Sequence, residues 1–463
     1  MNSLKRILSV CVASCTLTCV TAQGTREQPA REQSSRAFSR LGVWRSRGYG
    51  YILQIGQGSL KLFHAAGPFC YPDPRPEADP DGLFEHSQQL AEDVIAFSAG
   101  PGQTRYVFDR LGALPPACDE KAAWTADRIA ALTAETFNAF YPSSRERNLD
   151  WRARAATAAG QLNERSKDDA LFAALSQMLA GIEDPHVELH ATVGGETRAL
   201  SPGEGPTLRR VARSGDAKAR EREWLQAYKS GILDDILRGA GRHVANKRVF
   251  WGRVDEIGYL NVVTMGSFDE GAPPDDTVAL DAALDEALTA FSGARAVIVD
   301  VSNNRGGYDS ISGHIAGRFA QERRLAYTKS PIGAEGAEAQ AFFVEPSSRI
   351  RFLGPVYLLT SDVTVSAGET FTLLMRALPN VRHVGATTRG ALSDQLEKPL
   401  PNGFRLALPA EVYRDPEGVT FEVKGIPPRT SFEVFPASDL THGHARAVLR
   451  LMDDIRNHRT ERP

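Results

Sequence analysis

The sequence lacks an excess of charge of either sign. Lys and Arg number 54 and Asp and Glu 57 among 463 residues, a formal net charge of −3, so no broad basic field favours nucleic acid. It also lacks a polybasic run of the kind that draws a chain to a membrane surface. Hydrophobic residues make up 42% and charged residues 24%, which argues against a disordered, collagen-like or coiled-coil protein. The length is that of about three domains.

Long apolar runs are scarce. The clearest, Ile7–Val20, follows a basic start and precedes the small residues Thr21-Ala22. This pattern is typical of a secretory signal peptide, and the run is too short for a comfortable membrane span. We therefore expect residues 1–22 to be a signal peptide, which leaves a periplasmic or extracellular protein without a membrane span. Two alternatives stay open: an uncleaved anchor helix, and a lipid anchor on Cys15, because the residues before it resemble a bacterial lipoprotein box.

Cysteine is scarce too, with five in the chain. Cleavage after Ala22 would remove three of them and leave Cys70 and Cys118. An oxidising compartment allows such an even pair to join. We expect a disulfide between them within the N-terminal part, and two unpaired buried thiols are the alternative.

Changes of pattern along the chain predict an α/β protein of several parts. Residues 23–40 are polar and indicate a linker, and residues 41–120 alternate apolar with glycine and polar residues, which predicts a β-rich module. Residues 121–245 show helical periodicity, and residues 246–463 alternate buried strands with helices. We expect the sheet of this last part to be completed by strands near 381–385, 404–409 and 419–423.

Two loops of the last part, residues 300–307 and 360–369, each join a buried strand to a helix. Ligands of α/β proteins bind beyond the carboxyl ends of the strands, where such loops gather. Ser366 stands where the second loop becomes a helix, so its hydroxyl could attack a carbonyl group. The structural alternative is that Ser366 and Glu369 form a capping box.

An oxyanion formed by such an attack needs hydrogen-bond donors. Backbone N–H groups at a helix start are unsatisfied and can supply them. Ala367 is one candidate donor, and Gly306 or Gly307 in the other loop is the second, because glycine permits a close approach to the substrate. An ordinary tight turn at the two glycines is the alternative.

A nucleophilic serine needs a base, and His186 is the candidate. Pro185 ends the preceding helix and leaves His186 in a loop; a purely structural histidine is the alternative. His186 and His190 also form an H-x-x-x-H pattern, but Glu188 stands one position late for H-E-x-x-H and no third ligand is evident. We therefore expect no metal.

Five segments together resemble the serine peptidases of family S41, which comprise C-terminal-processing, tail-specific and tricorn-like proteases. In chain order they are 183–186 (EDPH), 296–307 (AVIVDVSNNRGG), 356–369 (VYLLTSDVTVSAGE), 384–390 (VGATTRG) and 400–428 (LPNGFRLALPAEVYRDPEGVTFEVKGIPP). The resemblance implies a crotonase-like ββα core sheet with a helical N-terminal cap beside the β-rich module. It also implies a peptide or protein substrate and no cofactor.

The resemblance also implies roles for individual residues. The processing branch uses a lysine about 25 residues after the serine. This lysine is missing here, where the chain reads Arg389-Gly390-Ala391, so the tricorn-like branch, with its interphotoreceptor-retinoid-binding-protein-like members, fits better. It implies Ser366 as nucleophile, His186 as base and Glu422 as the acid that orients the imidazole. Supporting roles fall to Asp300, Asn304 and Glu369. The chain departs from the family motifs at Ser302, Ala386 and Arg429, and no PDZ-like insert is recognisable.

Together these observations predict an exported serine peptidase that forms an acyl-enzyme at Ser366. Two other functions stay open: a non-catalytic binding protein on the same scaffold, and a serine esterase or amidase acting on small substrates. If His186 did not reach Ser366, Lys398 or Lys424 would be the next candidate base. The sequence leaves the oligomeric state open.

Overall fold

The computed structural model describes residues 40–457 except 78, 80, 101, 122, 214–215 and 334–338. The expected signal peptide, and the expected linker apart from its last residue, lie outside the described residues. The expected boundaries between the other parts of the chain stay predictions. Within the described ranges, no helix is long and apolar enough to cross a membrane.

The first described part is an antiparallel sheet of seven strands. They are β1 (Gly42–Ser46), β2 (Tyr51–Gly56), β3 (Ser59–Ala66), β4 (Phe69–Pro72), β5 (His86–Ala91), β6 (Val94–Ser98) and β7 (Tyr106–Leu111). Their order is β4-β3-β2-β1-β7-β6-β5. Because side chains alternate between the two faces of a strand, Trp44, Leu53 and Phe108 all point into the core and are fully buried.

A disulfide ties this sheet to the helices that follow. It joins Cys70 in β4 to Cys118 in helix α1 (Pro116–Asp119) across a sequence separation of 48. Such a cross-link stabilises the fold mainly by restricting the unfolded chain.

The next part is mostly helical. Its elements are α2 (Ala126–Phe140), α3 (Trp151–Ala159), α4 (Asp168–Leu179), the hairpin β8 (Glu188–Val193) and β9 (Glu196–Leu200), α5 (Pro206–Val211), α6 (Ala217–Ser230) and a π-helical turn at Gly231–Ile236. Asp150 caps α3 by accepting the N–H of Ala153, and Asp216 caps α6 by accepting those of Lys218 and Ala219. The turn between α4 and β8 carries Pro185 and His186.

The C-terminal part alternates strands and helices. Its elements are β10 (Arg242–Val244), β11 (Val249–Val254), β12 (Ile257–Val262), α7 (Val278–Ala290), β13 (Ala296–Asp300), α8 (Asp309–Ala316), β14 (Arg324–Pro331), β15 (Gln340–Val344), β16 (Val356–Thr360), α9 (Ala367–Arg376), β17 (Val381–Gly385), β18 (Gln395–Pro399), β19 (Arg405–Pro409), β20 (Glu411–Arg414), β21 (Thr430–Ser431) and α10 (Gly443–Arg456). A short 3-10 helix, Gly317–Phe319, follows α8.

The core sheet has the order β10-β11-β12-β13-β16-β17-β21, and its strands from β12 onward are parallel. Helices α7, α8 and α9 cover one face with residues such as Leu284 and Phe371. Helices α6 and α10 cover the other face with residues such as Tyr228 and Val448. Two small sheets, β15-β14-β20 and β18-β19-β8-β9, flank the core. The predicted α/β fold class, with its β-rich N-terminal module and helical cap, is confirmed.

Two of the strand predictions need correction. Residues 405–409 form β19, but this strand pairs with β18 and β8 in a small sheet and not in the core sheet. Residues 419–423 form no strand. Val423 has a φ of +69° and donates its N–H to Gly390 O at 2.8 Å, so the segment turns back onto the 390 loop.

Candidate active site

Ser366 stands at a strained turn between β16 and α9. Its φ is +58° and its ψ −127°, a conformation that residues other than glycine rarely adopt. Its N–H donates to Ala391 O at 2.9 Å, and its side chain makes no capping hydrogen bond to the helix. The Ser366 side chain therefore does not supply its half of a capping box, although the Glu369 carboxyl reaches back to the Ser366 backbone as in such a box. The Ser366 side chain is partly exposed beside the first turn of α9.

Glu369 binds the loop at residues 388–391, which also contacts Ser366. Its Oε1 accepts hydrogen bonds from Thr388 Oγ1 at 2.6 Å and from Gly390 N at 2.7 Å, and its Oε2 accepts one from Ala391 N at 2.8 Å. Burial raises the pKa of Glu369 to about 7, against the effect of these donors. The carboxyl group fixes the backbone at Ala391, whose carbonyl oxygen in turn holds the N–H of Ser366.

The glycine loop lies against Ser366. A methyl group built on Gly306 would come within 2.6 Å of Ser366 Cβ and 3.1 Å of its Oγ. The N–H of Gly306 donates to Asn304 Oδ1 at 2.9 Å, and Asn304 Nδ2 donates to Val262 O at 2.9 Å. Asn304 therefore fixes the conformation of this loop. Because it accepts the N–H of Gly306, one of the three expected oxyanion donors is already engaged.

The other two expected donors are the N–H groups of Gly307 and Ala367. Neither donates a hydrogen bond to any of the described residues. Ala367 is the first residue of α9, where an N–H has no acceptor within the helix and the helix dipole favours negative charge. These two groups remain able to bind a negatively charged oxygen.

His186 is held by its neighbour Asp184. The backbone N–H of His186 donates to Asp184 Oδ1 at 3.0 Å, and Asp184 Oδ2 accepts the hydroxyl of Tyr141 at 2.8 Å. The imidazole is buried, which lowers the pKa of His186, while Asp184 and Asp394 oppose the shift. A histidine that is neutral near pH 7 can accept a proton.

Glu422 lies in the turn that replaces the expected last strand. Its Oε2 accepts the N–H groups of Leu392 at 3.0 Å and Ser393 at 3.3 Å. Burial, together with the charges of Asp184 and Glu369, raises the pKa of Glu422 well above its usual value. Its Oε1 and His186 Nδ1 are both buried without a hydrogen-bond partner among the described residues.

One segment, Gly390–Asp394, connects the three predicted catalytic residues. Its Ala391 carbonyl binds Ser366, its Leu392 N–H binds Glu422, and its Ser393 backbone contacts the ring of His186. Within the described chain, no direct hydrogen bond joins His186 to Ser366 or to Glu422. The sequence prediction missed this segment because its contacts use backbone atoms, which carry no sequence signal; Asp184, two residues before His186, could have been found from the EDPH motif.

Asp300 supports the sheet and makes no hydrogen bond to Ser366 among the contacts of the described residues. Its Oδ2 accepts hydrogen bonds from Tyr259 Oη at 2.6 Å and from His444 Nε2 at 2.7 Å, and its Oδ1 accepts the N–H of Ser302 at 2.8 Å. The group is fully buried. It fixes the start of the 300–307 loop from inside the core, and neither Tyr259 nor His444 was expected from the sequence.

Two other candidates have structural partners. Lys398 Nζ donates to Tyr49 O at 2.6 Å, where β18 meets the N-terminal sheet, which argues against a role as base. His190 Nε2 pairs with Glu188 Oε2 at 2.8 Å. In the part of the chain that the structure describes, no group of three or more His, Cys, Asp or Glu is arranged to hold a metal ion.

Comparison with known proteins finds similarities for the part of the chain that carries Ser366 and Glu422. Residues 256–432 match the model of peptidase family S41. Among solved structures, the chain is similar to a putative peptidase from Parabacteroides merdae, at 22% identity and a TM-score of 0.56, over 71% of this chain and 97% of that one. It also matches mature CPAF in complex with lactacystin, at 12% identity and a TM-score of 0.49, over 72% of this chain and 99% of the other. No curated protein sequence matches significantly. The similarity to the Parabacteroides merdae structure supports the fold described above.

Proposed function

Because the chain belongs to peptidase family S41 through residues 256–432, a family of serine peptidases, we propose that it is an exported enzyme that cleaves peptide bonds through an acyl-enzyme at Ser366. The observation that carries this proposal is the strained turn at Ser366. Its hydroxyl is not used for capping, and the N–H groups of Gly307 and Ala367 have no acceptor among the described residues. Strain in such a position is typical of a functional residue.

In the proposed reaction, His186 accepts the proton of the Ser366 hydroxyl as Oγ attacks the carbonyl carbon of the substrate. The tetrahedral intermediate collapses when His186 donates this proton to the leaving amine, and the acyl group stays on Ser366. A water molecule, deprotonated by His186, then releases the acid and restores the serine. The lowered pKa of His186 suits the first step, since the neutral imidazole is the form that accepts a proton.

The negative charge that develops on the carbonyl oxygen would be bound by the N–H groups of Gly307 and Ala367. Two backbone donors fixed before the reaction stabilise a transition state without reorganisation. Gly306 contributes by its small size, because a side chain there would collide with Ser366. Asn304 and Glu369 hold the two loops in place.

Glu422 is the proposed acid. Its Oε1 and the Nδ1 atom of His186 are both buried and share Ser393 and Asp184 as neighbours. Buried polar atoms of this kind are satisfied by protein groups or by water. We propose that a water molecule or a small rotation of His186 connects them during the reaction, so that Glu422 orients the imidazole and stabilises its charged form.

Export is supported by the disulfide between Cys70 and Cys118, because such bonds persist mainly in oxidising compartments. The signal-peptide pattern of residues 1–22 supports it as well. Determination of the N-terminus of the protein recovered from its host tests this part: cleavage after Ala22 gives a chain that begins at Gln23. An intact N-terminus would contradict export by signal cleavage, and a lipid on Cys15 would show the alternative anchor.

Hydrolysis of an unfolded protein, such as reduced casein, tests the peptidase proposal. We expect the wild type to release peptides and Ser366→Ala to release none while it keeps its circular dichroism spectrum. Ser431→Ala, at an exposed serine of β21, is the matched control and should behave as wild type. Equal hydrolysis by Ser366→Ala would overturn the assignment of the nucleophile.

A further inference from the structure

A cavity of about 280 Å³ lies beside the proposed nucleophile. Gly307 forms part of its wall and directly follows Gly306, which contacts Ser366. Asp394 also lines it and directly follows Ser393, whose backbone contacts the ring of His186. The cavity is thus bordered by the loop that contacts Ser366 and by the segment that contacts His186, close to the place where a scissile bond would lie.

The N-terminal sheet supplies one wall of this cavity. Leu83, Thr104 and Tyr106 line it, and Thr104 Oγ1 donates a hydrogen bond to Asp394 Oδ2 at 3.2 Å. Nearby, Gln340 Nε2 donates to Gln103 O at 2.9 Å and anchors the same part of the sheet to β15. The β-rich module therefore contributes to the surroundings of the proposed active site.

The charge of the cavity is negative. Lys329 lines it, but its ammonium group is buried and paired with two carboxylates, Asp394 at 2.5 Å and Glu411 at 3.2 Å. Asp394 is the accessible member of this group, with 44% of its side chain exposed. Its Oδ1 receives no hydrogen bond from the described residues, so this oxygen can accept one from a ligand.

A second carboxyl group faces the same cavity. Asp309 lines it, and its Oδ1 accepts the hydroxyl of Thr370 at 2.6 Å, one turn into α9 from Ser366. Burial and the charge of Asp394 raise the pKa of Asp309. The carboxyl groups of Asp309, Asp394 and Glu411 thus lie around a single ammonium group, and a cation that entered the cavity would favour the ionised form of Asp309 and pair with it.

Aromatic rings complete the lining. Tyr308, which is 44% exposed, and Phe342 both border the cavity. A guanidinium group binds carboxylates through paired hydrogen bonds and stacks on aromatic faces, and a long alkyl stem fits an apolar wall. This combination of acid and ring matches an arginine side chain better than any uncharged one.

We propose that this cavity binds a basic side chain, arginine above all, of the substrate residue next to the scissile bond, with Asp394 and Asp309 as the groups that select it. The proposal rests on the proposed peptidase function for the identity of the ligand. A substrate carboxylate is a poorer match, since it would meet the exposed Asp394 before the buried, paired Lys329.

Binding to the Ser366→Ala variant tests the cavity without any need for turnover. The probes are a fluorescent peptide with a single central arginine and its twin with citrulline, which has the same shape and no charge. We expect the arginine peptide to bind about 10- to 100-fold more tightly, as a charge-assisted hydrogen bond contributes. Adding Asp394→Asn or Asp309→Asn should remove most of this ratio, whereas adding Asp275→Asn, at an exposed loop position, should keep it. Equal binding of both peptides would overturn the proposal.

Digestion of reduced casein by the wild type separates this proposal from the one on which it rests. Mass spectrometry of the products should show cuts concentrated beside Arg and Lys. The fraction of all cuts that fall beside these two residues should decrease in Asp394→Asn. Efficient cleavage without a preference for basic residues would contradict the selectivity and leave the peptidase function standing. Arginine-dependent binding without any cleavage would contradict the peptidase function and leave the cavity assignment standing.

Discussion

Gly306 and Ser366 belong to different loops, 60 positions apart in the sequence, and yet a methyl group on Gly306 would lie 2.6 Å from Ser366 Cβ. Real carbon atoms do not approach so closely without a shift of the backbone. Ser366 is itself at a strained φ of +58°, and Gly306 has a φ of +88°. The two loops therefore fit together only with glycine at position 306.

Gly306→Ala tests this fit. The added methyl group should displace Ser366 or the Gly307 N–H by a fraction of an ångström to an ångström, and we expect kcat/KM to fall by about 100-fold. The measurement is peptide hydrolysis beside a thermal melt. Gly313→Ala is the control, because none of the described residues lies within 4 Å of a methyl group at that position of helix α8. It should keep full activity. Wild-type kcat/KM in Gly306→Ala would contradict the close packing of the two loops.

Glu422→Gln tests the proposed acid. Gln keeps the size of the side chain but carries no charge, so we expect kcat to fall by about 100-fold or more. Because burial raises the pKa of Glu422 and lowers the pKa of His186, Glu422 should be the group that ionises as activity rises with pH. The acid limb of kcat/KM should therefore move to lower pH in the variant. Glu417→Gln, at an exposed position shortly before it, should change neither kcat nor the limb; an unchanged profile in Glu422→Gln would exclude this role.

His444→Ala tests the support beneath the glycine loop. Burial alone would raise the pKa of Asp300, but the charge of His444 and the hydrogen bonds from His444, Tyr259 and Ser302 hold it below its usual value. Removing His444 leaves a buried carboxylate without its ionic partner, which costs about 3–5 kcal/mol of unfolding free energy.

The stability lost in His444→Ala should depend on pH in a direction set by the lowered pKa of Asp300. A carboxyl group with a lowered pKa stabilises the fold above its unfolded pKa, and this contribution disappears as the pH falls through the folded pKa. Denaturant titrations between pH 7 and 3 should show that the difference in unfolding free energy between wild type and His444→Ala becomes smaller as the pH falls. The exposed His442 provides the control, and His442→Ala should follow the wild type. A wild-type-like stability of His444→Ala at pH 7 would show that the contact with Asp300 contributes little.

Lys398→Met tests the contact between the N-terminal sheet and β18. Burial lowers the pKa of Lys398 to about 7, so between pH 7 and 10 the unfolded chain binds a proton that the folded chain does not. The unfolding free energy of the wild type should therefore rise with pH in this range relative to Lys398→Met, by up to about 1.4 kcal/mol per pH unit. Lys61→Met, at an exposed position of β3, should retain the wild-type slope. If the unfolding free energies of wild type and Lys398→Met changed in parallel with pH, Lys398 would not take up a proton on unfolding, which would contradict the account.

Much of the framework follows from local pattern. Alternating apolar residues predicted the β-rich module, and continuous apolar runs predicted the core strands β13 and β16. The motifs around Ser366, Gly306 and His186 pointed to the loops that the structure places in or beside the candidate site. These features are set by neighbours in the sequence, which is why they could be read from it.

The failures and omissions share one cause, namely contacts between distant parts of the chain. Residues 419–423 alternate like a strand, but the loop at Gly390 holds Val423 in a left-handed turn. The hydrogen bond from Thr104 to Asp394 spans 290 positions. No periodic pattern in the sequence indicates such a pair, so the cavity and its acidic lining could not be predicted from the sequence.

Labelling with a fluorophosphonate probe tests the central claim, an activated Ser366, most directly. The account predicts that the wild type is labelled on Ser366, as peptide mapping would show, and that Ser366→Ala and His186→Ala are not. Labelling that persists in Ser366→Ala, or a folded wild type that reacts no faster than Ser366→Ala, would contradict it.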